Sequence, residues 1–112
     1  MRLLLWLIFS VVLCAQVDTG VITGTATDAS GAVVPGVRIV VTHVDTNLRT
    51  ETVTNGSGFY SAPALRTGRY SVAASANGFK PETRTGIELR VQERLAIDFV
   101  LQVGASASEV TI

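Results

Sequence analysis

The chain has 112 residues, of which 47% are apolar, 16% charged and 6% aromatic, enough for one small domain and too few for a second. Nine basic side chains balance nine acidic ones, which removes the basic patch that a nucleic-acid backbone requires and the charge run of an acidic tail. One His and one Cys cannot build a four-ligand zinc site, and a single Cys cannot close an internal disulfide.

The first segment, residues 1–15, reads as a signal peptide. Arg2 gives a short positive flank, Leu3 to Leu13 form an apolar run broken only by Ser10, and Cys14-Ala15-Gln16 offers small residues for cleavage. The run is much shorter than the roughly 20 apolar residues of a spanning helix. A lipoprotein signal would place Gly, Ala or Ser before the cysteine, and Leu13 stands there instead. Cleavage after Ala15 takes away the only thiol, so a sandwich domain over 16–103 must hold itself together by packing and hydrogen-bonded sheet alone.

Beyond residue 20, short alternating segments are separated by Gly, Pro, Asn and Asp, the pattern of a β-sandwich. Ile22, Gly24 and Ala26 alternate with threonines up to the turn Asp28-Ala29-Ser30-Gly31. Pro35-Gly36 introduces Val37 to Val44, in which Val37, Ile39 and Val41 share one face. Residues 49–54, Arg-Thr-Glu-Thr-Val-Thr, have one strongly apolar member and predict a solvent-facing or edge strand. Asn55-Gly56-Ser57-Gly58 closes it, and Phe59-Tyr60 begins the next strand. Tyr70, Val72, Ala74 and Ala76 alternate before the turn Asn77-Gly78. Ile87, Leu89 and Val91 mark another strand, and Leu95, Ile97, Phe99, Leu101 and Val103 give the longest clean alternation. The expectation is an all-β, seven-strand antiparallel β-sandwich without a substantial helix. Residues 104–112 read as a small polar linker that resumes a strand-like pattern at Glu109-Val110-Thr111-Ile112, as the start of a truncated downstream segment would.

The order and spacing of several of these residues resemble a known family. Ile22-Thr23-Gly24-Thr25 with Asp28, Gly31 and Pro35-Gly36-Val37, then Thr54-Asn55-Gly56-Ser57-Gly58-Phe59-Tyr60, then Leu65, Gly68 and Tyr70, and finally Gly78-Phe79 are similar to the carboxypeptidase regulatory-like domain. That resemblance implies a transthyretin-like, Greek-key sandwich grouped with carbohydrate-binding-like folds. It narrows toward the copies at the N-terminus of Oar-like TonB-dependent outer-membrane receptors of acidobacteria, where a signal peptide leads into the domain and Ser108 to Ile112 would run toward the receptor plug. The resemblance implies a periplasmic or outer-membrane-associated accessory domain without catalytic residues. Arg66-Thr67 departs from it, since the family usually has Pro before the Gly.

Site chemistry gives the same expectation. No Ser lies in a nucleophile motif, and His43, beside Thr42 and Asp45, reads as a surface or strand-end polar residue with no catalytic partner. Asn55 to Gly58 lacks the Lys-Ser/Thr and the helix of a phosphate cradle, so it is turn chemistry. Asp28, Asp45 and Asp98 fall on separate segments with no calcium loop, and Asp98 is expected to face outward, either solvated or paired with an Arg on an adjacent strand. Lys80, the sole lysine, is badly placed for an isopeptide crosslink. Neither metal, cofactor nor nucleic acid is expected. Sugar binding needs exposed aromatic platforms; alternation assigns Phe59, Tyr70 and Phe99 to the core and leaves Tyr60 and Phe79 as candidate ligand contacts, too few for a platform. The expected partner is therefore a protein, or the plug and barrel of a receptor, with a stand-alone secreted carbohydrate-binding-like module as the alternative.

Overall fold

The computed structural model describes residues 19–104; the expected signal peptide at 1–15 and the strand-like stretch Glu109 to Ile112 lie outside the described residues. Eight strands follow one another: β1 Thr19–Asp28, β2 Arg38–His43, β3 Arg49–Val53, β4 Phe59–Arg66, β5 Gly68–Ser75, β6 Glu82–Leu89, β7 Arg94–Ala96 and β8 Phe99–Leu101. They form two four-stranded sheets. One has the order β4-β1-β7 with β8 also paired to β1, and the other the order β3-β2-β5-β6.

The period-2 alternation seen in the sequence decides which face of each sheet is dry. Ile22, Ala26, Ala62, Phe99 and Leu101 from the first sheet meet Ile39, Val41, Tyr70, Val72 and Leu89 from the second, all buried in one core. Val37 is fully buried as well. Arg84 of β6 lies over the outer face of this core with its guanidinium carbon 4.9 Å from the centroid of the Phe99 ring, a cation–π contact that leaves the charge near water.

The all-β sandwich is as the sequence predicts, with two differences of detail. The long alternation from Leu95 to Val103 is two short strands, because the chain steps away from the ladder at Ile97-Asp98. Both β7 and β8 run parallel to β1, whereas every other strand pair is antiparallel. The reason is the turn after β6, which returns the chain to the end where β1 starts: the amide of Gln92 donates to the carbonyl of Thr19 and that of Val21 to the carbonyl of Glu93. From there the only way forward is alongside β1. Two bulges complete the sheets. Pro63-Ala64 of β4 stand opposite Val21, and Thr85-Gly86 of β6 stand opposite Ser71; Ala64 and Gly86 both have positive φ, as the extra residue of such a bulge commonly does.

Candidate functional site

Among the residues that carry the family resemblance, Asp28, Thr54, Asn55, Tyr60 and Tyr70 each bond a backbone group of the fold. Gly24 of β1 faces Tyr60 of β4 across the ladder. The ring lies over the glycine and its hydroxyl donates to the carbonyl of Ile97 at 2.6 Å. A side chain at position 24 would put its Cβ 1.9 Å from that same carbonyl oxygen and 2.8 Å from the Tyr60 ring, so glycine is required there by close approach. Asp98 fills the gap the step leaves. Its carboxylate accepts from the amide of Thr25 at 2.9 Å and from the Thr25 hydroxyl at 3.2 Å, standing in for a carbonyl of the interrupted strand.

The turns are built in the same way. The carboxylate of Asp28 accepts from the Ser30 hydroxyl and from the amides of Ser30 and Ala32; the Ser30 hydroxyl, then the Ala32 amide, hold it below the usual carboxylate range. Buried Thr54 ties the Pro35-Gly36 turn to β3, its hydroxyl accepting from the Val37 amide and donating to the Val34 carbonyl. The Asn55 side chain accepts from the amides of Ser57 and Phe59, an Asx turn that fixes where β4 begins.

At the opposite end His43, Gly68 and Tyr70 form one unit. His43 is buried, with Nε2 3.2 Å from the Thr67 carbonyl and Nδ1 3.1 Å from the Thr46 hydroxyl. Since a carbonyl can only accept, Nε2 carries the proton. The imidazole meets the Tyr70 ring edge-on at 4.9 Å, and a Cβ on Gly68 would reach within 2.5 Å of its Nε2. The Tyr70 hydroxyl donates to the Arg66 carbonyl at 2.7 Å, which locks the bend that carries the chain from one sheet to the other.

Three expectations are corrected here. Tyr60, taken as an exposed contact, is 2% exposed, while Phe59, taken as core, is 39% exposed; the Asx turn at Asn55 uses Phe59 as its last residue and so shifts the alternation by one. His43 is interior, because it continues the inward face of Ile39 and Val41. Asp98 is exposed as expected, but its partner is the Thr25 backbone and hydroxyl in place of an Arg. The other candidate contact, Phe79, is half-buried against the core and bridges Val103, so the two candidate contacts do not form one surface. Among the described residues no three His, Cys, Asp or Glu side chains converge as metal ligands would.

What remains unspent is backbone at one sheet edge. β3 pairs with β2 alone. The Leu48 carbonyl and the Thr54 amide bond toward β2, so by period 2 the even-numbered residues of the strand do so and the backbone groups of Arg49, Glu51 and Val53 point away from the sheet. This agrees with the edge expected for residues 49–54.

The fold and these contacts define a small β-sandwich whose motif residues build turns and crossings. The chain belongs to the carboxypeptidase regulatory-like domain family, whose model matches residues 21–102. It is 33% identical over 89 residues to the TonB-dependent transporter Oar of Myxococcus xanthus, a match that covers 78% of this chain and 8% of that protein. The chain thus spans a small part of the length of this relative. Among solved structures it is similar to the TIE protein of Bacillus anthracis, with a TM-score of 0.66 at 18% identity over 77% of this chain and 17% of that one. A catechol 1,2-dioxygenase from Pseudomonas arvilla gives a TM-score of 0.66 at 15% identity, covering 88% and 57%. A putative carbohydrate binding protein from Bacteroides uniformis gives 0.59 at 19%, covering 73% and 40%. At these identities the likeness is one of fold, which does not carry chemistry with it.

Proposed function

We propose that this chain is a non-enzymatic accessory domain at the N-terminal side of a TonB-dependent outer-membrane transporter, exported and held in the periplasm or at the outer membrane. The observation that carries this reading is the 33% identity with the transporter Oar across 78% of the chain. The geometry is in keeping with it, since Tyr60, Asp98, Thr54, Asn55, His43 and Tyr70 each bond the backbone that they position. Its partners are then protein, namely the plug and barrel of the same receptor.

A stand-alone carbohydrate-binding-like module would need an aromatic platform. With Tyr60 interior, Phe79 is left without a stacking companion. Fractionation of the native cells tests the choice: an antibody against residues 19–104 should follow an outer-membrane marker, and calorimetric titration of the domain with common oligosaccharides should give no heat. Recovery in the soluble periplasm together with saturable sugar binding would replace the proposal by the module.

A further inference from the structure

We infer that the free edge of β3 pairs with the same edge of a second copy of this chain, antiparallel about a two-fold axis at Thr50, so that the four-stranded sheet β3-β2-β5-β6 continues from one molecule into the other. The inference goes beyond the transporter reading and does not depend on it, since the edge lies wholly within the sandwich.

Among the described residues the other sheet edges carry devices that discourage strand addition. β4 has Pro63 and the Ala64 bulge, β6 has the Thr85-Gly86 bulge, and β7 and β8 are interrupted at Asp98. β3 has neither Pro, Gly nor bulge over Arg49–Val53, and the backbone groups of Arg49, Glu51 and Val53 point away from the sheet. Its one protective feature is charge, and that charge carries both signs.

The charges make the edge complementary to itself. In an antiparallel pair the odd-numbered residues, whose backbone groups are free, must stand opposite one another. An axis at Thr50 sets Arg49 opposite Glu51 of the second copy and Glu51 opposite its Arg49, with all four side chains on the exposed outer face. Glu51 already forms an ion pair with Arg38 of β2, so in the pair it lies between two guanidiniums, while Arg49, which has no ion pair among the described residues, gains a carboxylate. An axis at Arg49 or at Glu51 would oppose like charges, and one at Thr52 would set Glu51 beside Val53. The axis at Thr50 is the one that matches both charges.

The inner face supplies the second argument. Thr50 and Thr52 lie opposite Val41 and Ile39, on the inward side of the sheet. The axis sets Thr50 against Thr50 of the second copy, a closely spaced pair that suits threonine, and Leu48 opposite Thr52. Leu48 is 64% exposed in the single chain. It stands with Thr50, Ala64, Leu65 and Tyr70 around a cleft of about 200 Å³ that opens on this side of the sandwich. The same axis that pairs the charges therefore brings the clefts of the two molecules together and covers Leu48.

Sedimentation equilibrium of the full chain under reducing conditions tests the pairing. A contact this small should give weak self-association, rising between about 10 μM and 1 mM. Arg49→Glu sets carboxylate against carboxylate and Glu51→Arg sets guanidinium against guanidinium, so each should weaken association about tenfold or more. Mixed in equal amounts the two variants should associate again, because Glu then stands opposite Arg at both positions. A chain that stays monomeric throughout that range, association that either variant keeps undiminished, or two folded variants that ignore each other would overturn the inference. Amide exchange in the unaltered chain tests it without substitution: Arg49 and Glu51 should exchange more slowly as protein concentration rises, and rates independent of concentration would overturn it too.

Discussion

Gly24 and Tyr60 act as one unit divided between two strands: the glycine leaves the space, the ring fills it, and the phenol ties down the Ile97 carbonyl where the chain steps off the ladder. Filling the space with a methyl group forces backbone against backbone, so Gly24→Ala should lower stability by about 3 kcal/mol or more in urea unfolding. A loss under about 0.5 kcal/mol, the level of a surface change, would contradict the close approach. The two tyrosines of the chain share a second property. Burial, and for Tyr60 the nearby Asp98 charge, push both phenols above the ordinary value of 10.0, and each donates to a carbonyl that a phenolate could not serve. Their folded pKa values are raised, so their contribution to stability is complete below pH 10 and is lost as pH rises beyond it. Tyrosinate absorbance should therefore grow together with loss of the β-sheet circular dichroism, and Tyr60→Phe and Tyr70→Phe should each flatten that alkaline decline. A phenol titrating near pH 10 in an intact sheet would contradict this account.

At the scale of elements, the bulge in β4 is the place where the sequence is locally at odds with its conformation. Ala64 holds a φ of 58°, a left-handed value costing an L-residue roughly 1–2 kcal/mol, whereas Gly86 meets the same need in β6 with glycine. Glycine at position 64 relieves that strain and returns part of the gain as unfolded-chain entropy. Ala64→Gly should thus stabilise the domain by about 0.5–1 kcal/mol, read from the midpoint of chemical unfolding. A destabilised variant would show that the bulge is not strained. Strand existence was legible for β1, β2, β3 and β5 from alternation and turn residues, whereas for β6 only the Ile87–Leu89 end was, since the strand starts at Glu82 and Val91 stands exposed in the turn after it. Strand phase was legible only where turns permitted it. The Asn55 turn consumes Phe59, a detail invisible to alternation, although the pairing of an aromatic with a cross-strand glycine was a signal for Tyr60. His43 needed no more than a two-residue extension of the Ile39–Val41 face. The division of the last alternation was not legible, because the Asp98 side chain imitates a backbone acceptor and the sequence shows an ordinary outward aspartate.

For the whole molecule, the core is assembled from both sheets around Phe99, which is fully buried. Phe99→Ala should cost about 3–5 kcal/mol, and a cooperative urea transition that barely moves would remove the ring from the core. The ends of the sandwich are distinct: Thr19 lies beside the β6–β7 turn, and Gly104 leaves at the far end beside Gly78. A domain with separate ingress and egress is suited to standing in line with a larger protein. The measurement that tests this most directly is the size of the polypeptide that carries residues 19–104 in the outer-membrane fraction of the native cells, identified by peptide mass spectrometry of gel bands. The account predicts a band many times the 11.8 kDa of this chain that also yields peptides of a transporter barrel; a band near that mass, with no barrel peptides, would contradict it.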